Sequence, residues 1–190
     1  MDEPDPLTPT GCIQAEALGK EWSKVHIDHL YSSTLKRAVD TAREISTHNV
    51  GHPEIEQRAA LVEHRWGETA LDYSRNGYHD AAMRALTGDY SPINRKYRPS
   101  GGGESYNDVA IRGKTFLVTE ILGKFGAPVS QAPKSLREKE KALTAESLPE
   151  GIPHVVVVSH NIFLTELYEG LLCWGKEHEM MNYCWNNAGW

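Results

Sequence analysis

Two short polar stretches of this 190-residue chain carry side chains suited to binding an anion. Ser32-Ser33 is followed by Arg37 one helical turn later, and Ser159-His160-Asn161 follows a run of four valines. Arginine offers phosphate oxygens a planar fork of N–H donors, and a histidine N–H can stabilise negative charge on the same oxygens. Arg37 alone is a common surface residue, and His160 alone is common at helix caps. Only their joint placement indicates a function.

Both stretches are predicted to join a strand to a helix. Residues 27–32 read as a strand, and the residues that follow have apolar side chains at helical spacing, namely Leu35, Ala38, Val39, Ala42 and Ile45. Val155–Val158 is typical of a central parallel strand buried on both faces. Parallel strands end at one edge of their sheet, where helix N-termini present free N–H groups. The two stretches therefore predict one phosphate-sized pocket.

The alternation of strands and helices predicts an α/β fold with three layers, a mostly parallel sheet carrying helices on both faces. Thr8-Pro9 resembles a helix start, and that helix should run to about Trp22. Ser105 should cap another helix. The apolar side chains expected to be buried in these two helices and in the helix after His160 are Ile13, Ala17, Leu18, Trp22, Val109, Phe116, Leu117, Ile121, Phe163, Leu164, Leu167 and Leu171.

We expect one domain over residues 1–190, because its length and hydrophobic content suit a single globular core. Residues 67–100 lack sustained periodicity and are predicted to form an irregular cover over the substrate, with one helix around residues 78–86. Residues 127–151 hold three prolines and a run of mixed charges, which predicts a solvated loop.

Composition excludes several functional classes. The formal net charge of −6 and the lack of a dense basic block argue against nucleic-acid binding. No apolar stretch is long enough to cross a membrane, and the N-terminus does not resemble a secretory signal, so we expect a cytoplasmic protein. The three cysteines are widely spaced and predict free thiols, and the histidine spacings give no convincing metal site. We expect no cofactor, and the oligomeric state is open.

Several motifs resemble the histidine phosphatase superfamily in order and spacing, specifically its phosphoglycerate-mutase-like branch. They are Leu7-Thr8-Pro9-Thr10-Gly11 with Gln14-Ala15, Tyr31-Ser32-Ser33 followed by Arg37-Ala38 and Thr41-Ala42, Leu61-Val62-Glu63 with Trp66-Gly67-Glu68, Gly102-Gly103-Glu104-Ser105, and Val155 to Ser159-His160. The resemblance covers roughly residues 7–172 with gaps.

This resemblance implies hydrolysis of phosphomonoesters through a phosphohistidine, with a small phosphorylated substrate or inorganic phosphate as ligand. It implies that Arg37 and His160 hold phosphoryl oxygens and that Glu63 donates a proton to the leaving oxygen. All three are expected in one cleft at the carboxyl edge of the sheet. Ser33 is expected at its rim as a cap of the helix that carries Arg37, and Glu104 as a residue that orients a cationic group.

The chain also departs from the family pattern. An Arg-His-Gly tripeptide at the end of an N-terminal strand, central in the sheet, supplies the attacking histidine in the family, and no Arg-His pair occurs in this sequence. At the other end, Trp185-Asn186-Asn187-Ala188-Gly189-Trp190 resembles the approach to the last strand of the family, which is also absent. Both ends therefore look cut, and the chain as it stands is expected to be inactive. Three explanations stay open: an incomplete copy of a phosphatase, a catalytically dead paralogue that binds phosphate ligands or a protein, and a fold repurposed for lyase or isomerase chemistry with His160 and Glu63.

Overall fold

The computed structural model describes residues 5–88, 94–126, 153–172 and 187–189. The chain divides into two compact units. The first comprises Met1–Val62, Leu117–Ser159 and Asn186–Trp190, and the second comprises Glu63–Phe116 and His160–Trp185. The expectation of a single domain stays a prediction, and the predicted loop at 127–151 lies outside the described residues.

The described chain contains three short strands, and four α-helices lie between the second strand and the third. The strands are β1 (His29–Ser32), β2 (Ile55–Gln57) and β3 (Val155–Val158). The α-helices are α1 (Pro9–Glu21), α2 (Lys36–His48), α3 (Glu68–Arg75), α4 (His79–Thr87), α5 (Tyr106–Phe116), α6 (Gly123–Phe125) and α7 (Asn161–Leu172). A 3₁₀ turn covers Ala59–Leu61, and a π-helical stretch covers Leu117–Leu122.

The three strands form a parallel sheet in the first unit, with the order β2-β1-β3 in the described part of the chain. Leu30 of β1 pairs with Ile55 on one side and with Val156 on the other. The predicted α/β fold is confirmed. The expectation that β3 is buried on both faces is wrong, because its four valines are only half-buried. Among these strands β1 holds the central place, and its side chains are the more deeply buried.

Helical residues cover both faces of β1. On one face, Leu30 belongs to a buried core with Ile27, Ala42 and Ile45, the last two from α2. On the other face, the ring of His29 lies 4.3 Å from that of Phe125 in α6. This arrangement agrees with the predicted layers. The carboxyl end of β1 leads into the start of α2.

The start of α1 is predicted correctly, since the Thr8 hydroxyl accepts the N–H of Gly11 at 3.1 Å and Pro9 takes the first helical position. The predicted buried stripe is wrong in part, because Ile13 is 68% exposed. Gly19 is buried instead, so close to α2 that a Cβ there would lie 2.5 Å from the Glu44 carbonyl oxygen. Close packing of two helix backbones selects small residues, which a search for large apolar side chains overlooks.

The second unit contains α3, α4, α5 and α7. The helix predicted around residues 78–86 is confirmed as α4, whereas α3 lies in a stretch that was expected to be irregular. The predicted cap of α5 is also confirmed. The Ser105 hydroxyl accepts the N–H of Asp108 at 3.1 Å, and the Asp108 carboxylate accepts the N–H of Ser105 at 2.9 Å. This reciprocal pair fixes the start of α5.

The buried side of α7 differs from the predicted one. Phe163 is fully buried as expected, but Leu171 is exposed, whereas Glu166 and Glu169 are buried. A buried carboxylate requires a partner, and the guanidinium of Arg95 supplies one for Glu166. Since Arg95 is distant in sequence, the periodicity of α7 alone gave no sign of this polar face.

A glycine contact closes the stretch that begins with α3. Gly67 and Gly101 have positive φ angles of 77° and 80°, and the N–H of Glu68 donates to the Gly101 carbonyl oxygen at 3.0 Å. A Cβ on Gly67 would lie 2.3 Å from the Ser100 carbonyl oxygen, so the close approach requires glycine. Both ends of the intervening segment are therefore held together.

Candidate active site

Glu63 contacts the N-terminus of α7, the helix that His160 immediately precedes. The Glu63 carboxyl Oε1 accepts the N–H of Phe163 at 3.1 Å, and Oε2 accepts the N–H of Ile162 at 3.3 Å. Oε1 also accepts the N–H of His64 at 2.9 Å. His160 is buried and immediately precedes the helix. Two of the predicted site residues thus occupy one helix terminus.

The local fold explains this position. The first N–H groups of a helix have no partner within it and carry the positive end of the helix dipole, so they attract a carboxylate. The segments that lead into the two residues also run side by side in the first unit, where the Ser159 hydroxyl donates to the Leu61 carbonyl oxygen at 2.7 Å. Leu61 lies two residues before Glu63, and Ser159 immediately precedes His160.

Ser33 and Arg37 lie in the first unit, at the step from β1 to α2. Ser33 is buried, its N–H donates to the Val158 carbonyl oxygen at 2.9 Å, and its hydroxyl accepts the N–H of Leu35 at 3.2 Å. Leu35 is the residue before α2, and its own side chain makes no capping hydrogen bond. Ser33 therefore holds the turn that leads into the helix, and its role as a cap of that helix stays a prediction.

The guanidinium of Arg37 already holds an anionic group. It forms an ion pair with the carboxylate of Asp5, and the Arg37 backbone N–H donates to the Asp5 carbonyl oxygen at 3.0 Å. Arg37 is half-buried, whereas Asp5 is exposed. The guanidinium that is predicted to hold a phosphoryl oxygen is thus paired with a carboxylate of this chain.

Glu104 orients a cationic group, but that group is Arg112, which the sequence analysis did not single out. The Arg112 guanidinium donates to both carboxylate oxygens of Glu104, at 3.1 and 2.9 Å. It also lies 5.1 Å from the centre of the Phe163 ring. Glu104 and Arg112 are both largely buried, so this pair joins the start of α5 to the first turn of α7.

His64 and Tyr106 are two further residues beside Glu63. The His64 ring is 4% exposed, its Nε2 donates to the Glu104 carbonyl oxygen at 2.6 Å, and it stacks on Tyr106 at 5.0 Å. Burial raises the pKa of the Tyr106 phenol, and the nearby carboxylates of Glu166 and Glu63 raise it further while Arg95 opposes them. Tyr106 therefore stays an uncharged phenol at neutral pH.

Within the described ranges no group of three or more His, Cys, Asp or Glu side chains could hold a metal ion. None of the helices described there is long and apolar enough to cross a membrane.

Comparison with known proteins identifies a family and a curated relative. The family model described as histidine phosphatase superfamily (branch 1) matches residues 3–190. The fructose-2,6-bisphosphatase TIGAR B of Danio rerio is 30% identical over 178 residues, which is 88% of this chain. The chain spans 66% of the length of that relative.

Solved structures share the fold. A mycobacterial glucosyl-3-phosphoglycerate phosphatase has a TM-score of 0.57 at 24% identity, over 90% of this chain and 69% of its own. A phosphoglycerate mutase from Bacillus anthracis has a TM-score of 0.56 at 20% identity, over 87% of this chain and 68% of its own. At these identities the likeness concerns the architecture, and it confirms the predicted phosphoglycerate-mutase-like fold.

Proposed function

Because the chain belongs to branch 1 of the histidine phosphatase superfamily, we propose that it binds a small phosphorylated compound for phosphomonoester chemistry. In this proposal Arg37 and His160 hold the phosphoryl oxygens, and Glu63 protonates the oxygen of the leaving alcohol. Ser33 and Glu104 position these groups through the turn before α2 and through Arg112. The ligand is a phosphate monoester or inorganic phosphate.

The geometry of Glu63 is the observation that carries this proposal. Its Oε1 accepts two N–H groups, at 2.9 and 3.1 Å, whereas Oε2 has one longer contact at 3.3 Å. A protonated carboxyl keeps two lone pairs on its carbonyl oxygen, so Oε1 can retain both short bonds while Oε2 carries the proton. Glu63 is only half-buried, which leaves room for a ligand. The carboxyl is thus held in place and has one oxygen suited to proton donation.

Turnover requires an attacking group as well. In the family resemblance that group is the histidine of an Arg-His-Gly tripeptide, and these 190 residues contain no Arg-His pair. The residues named above supply binding and proton donation, not the attack on phosphorus. We therefore expect the 190-residue chain to bind phosphate and to hydrolyse no ester. The second candidate function is phosphate binding by this chain without catalysis.

Isothermal calorimetry that measures the binding of inorganic phosphate and of phenyl phosphate tests the proposal. Affinity should be weak, with a Kd on the order of 1 mM. Arg37→Ala should abolish binding, because it removes the charged fork. Glu63→Gln should leave binding intact, since a proton donor acts mainly in the transition state. Arg43→Ala is the matched control, because Arg43 is exposed on the same helix.

The outcomes separate the two candidate functions and the proposal itself. Binding without release of phenol supports the binding role of this chain. Hydrolysis that depends on Glu63 would show that a histidine of this chain attacks phosphorus and would overturn the expectation of no turnover. Equal loss of binding in Arg37→Ala and Arg43→Ala, or no binding by the wild-type chain, would contradict the site assignment.

A further inference from the structure

The outer edge of β3 is open in the part of the chain that the structure describes. On its inner side β3 pairs with β1, where the Val158 carbonyl oxygen accepts the N–H of Ser33 at 2.9 Å. Backbone groups point to alternate sides along a strand, so the N–H and C=O groups of Val155 and Val157 point away from β1. None of these four groups has a hydrogen-bond partner among the described residues.

The β3 strand lacks the features that keep a sheet edge from pairing. Its four residues are all valine, with no charged side chain, proline or glycine, and each is only half-buried. The opposite edge of the described sheet is β2, which carries Glu56 in an ion pair with Arg58. Natural proteins use charged side chains of this kind to prevent pairing at an edge. Of the two edges, β3 is therefore the one suited to bind a further strand.

The side chains of β3 serve both faces of the sheet. Val156 and Val158 pack against the core that α2 helps to form. Val155 and Val157 alternate with them and lie on the opposite face. A strand added at this edge would therefore bring apolar side chains together on both faces in addition to pairing the backbone.

We propose that this edge binds the β3 edge of a second copy of the chain in a symmetric dimer. Two identical strands related by a twofold axis run antiparallel. With Val156 on the axis, Val155 of each copy lies opposite Val157 of the other, and all the outward N–H and C=O groups are paired in four hydrogen bonds. Neither strand carries a charge, so the copies do not repel each other there. The three described strands of each copy then form one sheet of six.

The small size of this interface fixes the strength of the dimer. Two four-residue strands bury less than the roughly 1,200 Å² of a stable interface, so association should be reversible, with a Kd on the order of 100 µM. The twofold pairing leaves no outward group of β3 for a third copy, so we expect a dimer and not a fibre. None of the residues proposed to hold phosphate lies on β3, so the dimer and phosphate binding can be tested separately.

Sedimentation velocity of the full chain between about 5 and about 500 µM tests the dimer, with hydrogen exchange followed by NMR at both concentrations. The weight-average mass should rise from that of a monomer toward that of a dimer. The amides of Val155 and Val157 should exchange about threefold more slowly at the high concentration, because most of the chain is then paired. The Val156 amide faces β1 and controls for a change in the whole sheet.

Two charged variants distinguish loss of pairing from loss of folding. Val155→Lys with Val157→Lys, and Val155→Glu with Val157→Glu, each place like charges opposite one another across the axis and should remain monomeric. An equal mixture of the two should associate again, because each lysine then lies opposite a glutamate. Val155→Thr with Val157→Thr is the matched control, since threonine keeps the branched shape without a charge, and it should dimerise as the wild type does.

Four results would each overturn this dimer. They are a wild-type chain that stays monomeric at every concentration, a dimer that persists in both charged variants, a mixture of these variants that does not associate, and a threonine variant that does not dimerise. Slow exchange of the Val155 and Val157 amides in the monomer would also overturn it, because another segment of this chain would then cover the edge.

Discussion

Arg95 and Glu166 form a bidentate ion pair that is almost completely shielded from water. Arg95 Nη1 donates to Glu166 Oε1 at 3.0 Å, and Nη2 donates to Oε2. The two residues are 7% and 0% exposed. Arg95 Nε also donates to the Asn107 side chain at 3.3 Å, so one guanidinium joins a loop, α5 and α7.

Loss of one partner of this pair should destabilise the protein strongly. Arg95→Met or Glu166→Met leaves a buried charge without compensation and should lower the free energy of unfolding by about 3–5 kcal/mol. The double variant should lose much less than the sum, because no buried charge remains. Urea unfolding of the four proteins measures this coupling. Strictly additive losses would contradict it.

Glu63 should stabilise α7 in addition to any role in chemistry. Glu63→Ala removes the acceptor of three N–H groups and should cost roughly 1 kcal/mol of unfolding free energy, in the range of lost helix caps. Glu63→Gln should cost less, because its carbonyl oxygen still accepts. Thermal unfolding measures both, with Glu54→Ala as a control at an exposed glutamate. An unchanged melting temperature in Glu63→Ala would show that these contacts do not support the helix.

Asp5 should compete with phosphate for Arg37. Asp5→Asn keeps the size of the side chain but removes the charge that pairs with the guanidinium, so phosphate affinity should rise about two- to fivefold. Calorimetry with inorganic phosphate measures the change. Asp40→Asn, on the same helix as Arg37, controls for the general loss of one negative charge. An equal gain in both variants would mean that Asp5 does not act through Arg37.

Acid should weaken the protein partly through Asp28. The N–H of His154 holds the pKa of this carboxyl below its ordinary value, burial opposes the shift, and His26 adds to it. A lowered pKa in the folded state gives stability that is complete above the ordinary carboxyl pKa and is lost as pH falls through the folded value. Asp28→Asn should therefore show a smaller fall in urea midpoint between about pH 6 and about pH 2. An identical fall in both proteins would rule out this contribution.

Features encoded by neighbours in sequence were predictable. Thr8-Pro9 and Ser105 marked helix starts correctly because caps involve residues three or four positions apart. The four valines indicated β3 by their β-branched side chains. The short strand β2 was not predicted, because its three residues include only one apolar side chain.

Features that depend on distant partners were not predictable. Nothing near Arg95 shows that it pairs with Glu166, 71 residues away. The same is true of the candidate site. The family motifs indicated Glu63 and His160, but they did not indicate the contact of Glu63 with the start of α7, which joins residues 100 positions apart. Arg112 was overlooked because its position follows from its pairing with Glu104, which the sequence does not reveal.

The close approach of Gly67 and Gly101 marks two points in the second unit between which a segment could be exchanged with that of a relative. The backbone contact between Glu68 and Gly101 holds the two ends of this segment together, so exposed residues of α3 and α4 can be replaced without changing that contact. The condition is that any replacement must still supply a guanidinium for Glu166. Grafting this segment between relatives should thus be feasible, with Arg95 as the residue that every graft has to keep.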